Sequence, residues 1–93
     1  MPSHIKVLLA ARFREIVGQR ELSKDVGSGM TLHDLLTTLA EKYGKDFTEI
    51  IDSETGEISL GAWVMVNGKS ARSTDVKLKN TDVVIITVPV GGG

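Results

Sequence analysis

The stretch VVIITVPVGGG, residues 83–93, carries three physical instructions in close succession. Val83 to Val88 form an unbroken, largely β-branched run, which suits a strand paired on both sides in the middle of a sheet. Pro89 lacks the amide hydrogen that would continue a ladder, so the strand should stop there. Gly91, Gly92 and Gly93 have no Cβ, so they can extend through a passage too narrow for any side chain and present a terminal carboxylate beyond it. Taken alone, a glycine-rich end is ordinary frayed tail. Following a central strand after only Pro89 and Val90, it is expected to have a task.

The elements that such a strand would pair with lie upstream. HIKVLLAA, residues 4–11, opens as a strand in which Lys6 marks the outward parity, so Leu8 and Ala10 point outward as well. REIVGQRELSKDV, residues 14–26, reads as a connection at Gly18 and then a half-buried strand with Leu22 and Val26 toward the core. In GMTLHDLLTTLAEKYG, residues 29–44, Leu32, Leu35, Leu36, Leu39, Ala40 and Tyr43 recur at helical spacing on one face. Thr31 and Asp34 are placed for a capping box, and Gly44 for a left-handed cap. DFTEIID, residues 46–52, has the pattern of one further helical turn, and Gly56 suits a turn in the polar loop after it. AWVMVNGKSA, residues 62–71, alternates up to Asn67-Gly68, the pair that best adopts a type I′ hairpin turn. The expected class is α+β, a mixed sheet of four to five strands with one main helix on one face and the first and last strands adjacent and parallel.

Composition narrows the function classes. The chain has 93 residues, enough for one domain and one modest core but little for a deep substrate cavity. Eleven Lys and Arg against twelve Asp and Glu give a formal charge of −1, which supplies no chain-wide basic field for nucleic acid or an anionic membrane. The absence of Cys removes disulfides, thiolate nucleophiles and cysteine metal sites, and fits the cytoplasm. No stretch has the form of a signal peptide or a membrane helix.

The order of elements and the ending resemble the β-grasp family of ubiquitin-like sulfur carriers. The residues carrying the likeness are IKVLLAARFREIVG (5–18), TLHDLLTTLAEKYG (31–44), VMVNGK (64–69) and LKNTDVVIITVPVGGG (78–93). Within that family the chain is most similar to the small subunit of molybdopterin synthase and to the small archaeal ubiquitin-like modifiers. The resemblance implies a β-grasp domain over residues 1–90 and a flexible glycine tail over 91–93.

It further implies that a ubiquitin-activating-type adenylating enzyme uses ATP to activate the Gly93 carboxylate, which sulfur then converts to a thiocarboxylate. The carrier itself would hold no permanent cofactor and no metal, contribute no catalytic residue, and insert Gly91, Gly92 and Gly93 into its partner. That partner would be the large subunit of molybdopterin synthase, the sulfur serving molybdenum cofactor biosynthesis. The same tail chemistry serves a modifier joined through Gly93 to target-protein lysines, or a carrier for tRNA thiolation. A noncovalent β-grasp module with an inert tail is the third class.

By parity, Leu8, Ala10, Trp63, Met65, Ile85 and Thr87 should share the sheet face away from the helix and form a partner-docking patch. The family usually carries bulkier aromatic side chains at the positions matching Ala10 and Thr87, and Gly91 stands where a small or polar residue usually precedes the final two glycines. His4 and His33 are expected as solvated residues, and Arg12, Arg14 and Arg72 as scattered surface charge. Asp52, Glu54 and Glu57 lie in a polar loop and are assigned no acid-base role.

Overall fold

Two-residue alternation makes one face of the sheet and hides the other. In β1 (Ser3–Leu9), Ile5, Val7 and Leu9 are buried while His4 and Lys6 face water. These assignments come from a computed structural model that describes residues 3–89. The elements that follow are α1 (Ala11–Val17), β2 (Glu21–Val26), α2 (Leu32–Tyr43), α3 (Lys45–Thr48), β3 (Trp63–Val66), β4 (Lys69–Ser70) and β5 (Val83–Thr87).

The strands form one five-stranded sheet in the order β2-β1-β5-β3-β4. The β-branched run therefore occupies the middle. β5 runs parallel to β1 from Lys6↔Val83 to Leu9↔Ile86, and antiparallel to β3 from Trp63↔Thr87 to Val66↔Val84. β1 and β2 are antiparallel, and so are β3 and β4. Asn67 and Gly68 have φ of 52° and 83°, the paired positive values of the type I′ turn.

α2 lies across the inner face. Leu32, Leu35, Leu36 and Leu39 pack with Ile5, Val7, Val64, Val84 and Ile86 in the main core. Its first turn is fixed on both sides. Thr31 Oγ1 accepts from Asp34 N–H and Asp34 Oδ2 accepts from Thr31 N–H, the reciprocal capping box. The next amides donate outside the helix, Leu32 to the Val76 carbonyl and His33 to the Thr74 carbonyl, so helix-end donors are satisfied by the incoming loop. Thr74, buried, donates its hydroxyl to the Gly56 carbonyl at 2.7 Å.

Two features differ from the sequence expectation. The connection after β1 is a helix, α1, rather than an irregular link. Phe13, Ile16 and Val17 follow helical spacing over a segment too short for periodicity to stand out, and Gly18 at φ 81° closes it. Phe13 is fully buried and stacks at 5.2 Å on Phe47 of α3, whose ring also meets Tyr43. Gly44 does end α2, but with φ 106° and ψ −172°; it turns the chain directly into α3, so a left-handed helical cap has no place there.

Phe13→Ala should cost about 3–5 kcal/mol of unfolding free energy in urea melts, because it empties the junction of α1 and α3. The Thr31 amide, and next the Thr31 hydroxyl, hold the Asp34 carboxyl below the usual aspartate range. Stability from this lowered group is complete above the ordinary aspartate pKa and is lost as pH falls through the folded value. Asp34→Asn should therefore lower Tm at neutral pH, with the difference from wild type closing in acid.

Candidate functional site

The outer sheet face is built by the alternate residues of the strands that bury the core. Leu8 pairs with Ile85, and Ile85 with Met65, so these three form a row across β1, β5 and β3. Trp63 and Thr87 form the next row. Ala10 N–H donates to the Ile86 carbonyl at 3.1 Å, which carries the parallel register one step past β1 and sets Ala10 beside that row. All six positions expected on the outer face thus lie together there. Five are half-buried and Trp63 is 37% exposed, its indole Nε1–H donating to Ser70 Oγ at 2.9 Å.

Val83, opposite Lys6, extends the apolar row toward the start of β5. Sequence parity finds it, since it shares the phase of Ile85. Leu60 it could not find: this residue lies in the irregular segment before β3, is 94% exposed, and lines one groove with Trp63, Ser70, Arg72 and Pro89.

β5 is anchored at its beginning. Asp82 accepts from the Lys79 amide through Oδ2 and from Asn67 Nδ2–H through Oδ1. Asn67 Oδ1 accepts from Val83 N–H, and Asn67 N–H donates to the Val83 carbonyl. On the other flank, Thr81 N–H donates to the His4 carbonyl, and His4 N–H to Asn80 Oδ1. The turn before β5 thus holds both the hairpin tip and the start of β1. Thr81 is placed there at φ 70°, a strained value for a β-branched residue.

The ladder ends at Thr87. Pro89 is exposed, and Val90 with Gly91, Gly92 and Gly93 lies outside the described residues. His4 pairs with Asp25 on the surface, and His33 is exposed on the first turn of α2. Asp52 Oδ1 accepts from the Glu54 and Thr55 amides within its own loop. Among the described residues no group of three His, Asp or Glu side chains is arranged to hold a metal ion, and no helix is long and apolar enough to cross a membrane.

A five-stranded mixed sheet with parallel terminal strands, a capped helix across it and a glycine ending is a β-grasp domain, and residues 7–93 match the ThiS family. The chain belongs to the ThiS family. Its fold and sequence class are those of small ubiquitin-like sulfur carriers and modifiers. Over 86 residues it is 33% identical to small archaeal modifier protein 3 of Haloferax volcanii, covering 89% of this chain and 91% of that protein. A structure described as a candidate molybdopterin converting factor, subunit 1, from Pyrococcus furiosus superposes with a TM-score of 0.76 at 28% identity, covering 95% of this chain and 99% of the other. Small archaeal modifier protein 1 of Methanosarcina acetivorans gives 0.71 at 27%, covering 100% and 99%.

The anchor before β5 is testable in this ThiS-family chain. Asn67→Ala removes the side-chain bonds to Asp82 and Val83 and places a Cβ-bearing residue without Asn's tolerance at positive φ. It should cost about 2 kcal/mol in urea unfolding, with the folded-state circular dichroism unchanged.

Proposed function

We propose that this chain is the sulfur-carrying small subunit of a molybdopterin synthase, delivering sulfur from its C-terminal Gly93 for molybdenum cofactor biosynthesis. The observation that carries the proposal is the course of β5: the central strand passes the outer apolar face and hands the chain, through Pro89, to a run of glycines. The likeness to the Pyrococcus furiosus candidate converting-factor subunit supports the same assignment.

The chemistry resides on the backbone. The Gly93 carboxylate attacks the α-phosphate of ATP in a partner adenylating enzyme, forming an acyl-adenylate and releasing pyrophosphate. Hydrosulfide from the partner system attacks the acyl carbon, AMP leaves with the electron pair of the broken C–O bond, the sulfur loses its proton, and the C-terminus becomes a thiocarboxylate. Gly91, Gly92 and Gly93 enter the partner's site, since a tail without side chains needs only the bore of a peptide backbone. Leu8, Ala10, Trp63, Met65, Ile85 and Thr87 dock the domain. An apolar patch with an aromatic residue, edged by charge, has the make-up of such a surface.

A second role is favoured by a separate observation, the 33% identity to a small archaeal modifier protein. The small side chains Ala10 and Thr87 on the outer face point the same way. In that role the same Gly93 adenylate is passed to lysines of target proteins as an isopeptide bond.

Reconstitution with the adenylating enzyme of the native host, ATP, a sulfide source, the synthase large subunit and its pterin precursor separates the roles. Formation of molybdopterin supports the carrier; adenylation without sulfur transfer, together with lysine conjugates in host lysate, refutes it in favour of the modifier. Removal of Gly92 and Gly93 should abolish pyrophosphate release. Met65→Glu should leave the fold intact and raise KM for the carrier in that step by about tenfold or more.

A further inference from the structure

Leu60 and Trp63, the two large hydrophobic side chains left exposed among the described residues, line one groove together with Pro89, Ser70 and Arg72. Trp63 is a fixed platform there, because its indole is tied to Ser70 Oγ. The groove encloses about 290 Å³. That is the lower edge of ligand pockets, roughly 300–1,000 Å³, so it suits a thin occupant better than a bulky one.

Arg72 is the one charged residue among those lining the groove. Met65 pairs with Ser70, and the Ala71 amide donates to the Val64 carbonyl, so by the same register Arg72 falls opposite Trp63 and in its phase. Glu57 bridges to Ser73, one step out of phase with Arg72, and does not line the groove. Arg72 is exposed and pairs with no carboxylate among the described residues. A planar guanidinium beside an apolar platform is suited to hold a carboxylate through two parallel N–H···O bonds.

The chain itself supplies such a carboxylate within reach. Pro89 lines the groove, and Val90, Gly91, Gly92 and Gly93 follow it. Thr87 pairs with Trp63, so Arg72 stands two strand spacings from β5 and two residues back from the level of Pro89. At ordinary sheet spacings that separation is roughly 12 Å. Four extended residues span about 13 Å, and the arginine side chain adds to the reach. Glycines have no Cβ to clash with the indole they would cross.

We propose that the groove of Leu60, Trp63 and Arg72 is a binding site for the chain's own C-terminus, with the Gly93 carboxylate paired to Arg72 and Gly91 and Gly92 laid against the Trp63 ring. Tethering raises the tail's effective concentration to the order of millimolar, so a contact too weak to hold a free peptide is populated. Occupied in this way, the groove shields the carboxylate and covers Leu60 and Trp63 when no partner is bound. The inference takes from the proposed function only that Gly93 carries the terminal carboxylate.

Trp63 is the sole tryptophan of the chain, so its fluorescence reports on the groove directly. Acrylamide quenching is compared for the full chain, for Arg72→Gln, for the full chain ending in a Gly93 carboxamide, and for a chain lacking Gly91, Gly92 and Gly93. The quenching constant should rise about twofold in each altered form, as expected when a largely populated contact is lost. The carboxamide leaves every groove residue unchanged, so a local effect of the Arg72 substitution cannot imitate its result. In NMR spectra, Trp63 ring protons should show contacts to the Gly92 and Gly93 α-protons in the full chain and lose them in the carboxamide.

Equal quenching in all four forms, with no ring-to-glycine contacts, overturns the site. Contacts that persist in the carboxamide refute the pairing with Arg72. Contacts found only between differently labelled chains, and growing with concentration, assign the tail to a second copy and refute the intramolecular site. No adenylating enzyme is present, so a failure of the carrier reading leaves these outcomes untouched.

Discussion

Parallel pairing of β1 with β5 is the constraint on which the rest of this domain depends. The register from Lys6↔Val83 to Leu9↔Ile86 joins the two ends of the sequence, and a parallel pair can form only when the intervening chain crosses over the sheet. α2 is part of that crossover, and its leucines seal the inner face. Since β1 and β5 point the same way, the chain leaving β1 and the chain leaving β5 emerge side by side. One end of the sheet thereby receives α1, the start of β3 and the exit toward the glycines. The opposite end receives the hairpin turn and the Asp82–Asn67 anchor.

This arrangement divides labour between the two faces and the two ends. The inner face supplies stability through Val7, Val64, Val84 and Ile86 under α2, all fully buried. The outer face carries the other phase of the same strands, and its apolar residues other than Trp63 are half-buried by their neighbours. A domain of this size has little interior to spare for a substrate cavity, so chemistry fits better on an extended end than in a pocket. Sulfur transfer and modification both accept that solution, because each needs only a delivered carboxyl carbon.

Most of the sheet was legible in the sequence because its signals are local. The run from Val83 to Thr87 declared a central strand by composition, Lys6 fixed the phase of β1, and Asn67-Gly68 fixed the hairpin turn; from those phases the six outer-face positions followed. Thr31 and Asp34 announced the start of α2. What escaped depends on tertiary context. α1 is a seven-residue helix held by the Phe13–Phe47 stack, and nothing local separates it from a link. Gly44 was recognisable as a helix end, but its ψ is set by the immediate onset of α3. Leu60 sits in irregular chain where alternation has no meaning.

The most direct test of the central claim is intact and C-terminal-peptide mass spectrometry of the chain isolated from its native host under conditions that preserve thiocarboxylates. Sulfur in place of one oxygen of the Gly93 carboxyl group is the predicted result. A plain carboxylate under every growth condition, with no Gly93 linked to lysine, would contradict a role for the tail in either transfer, and Gly93 found only in isopeptide bonds would contradict the carrier.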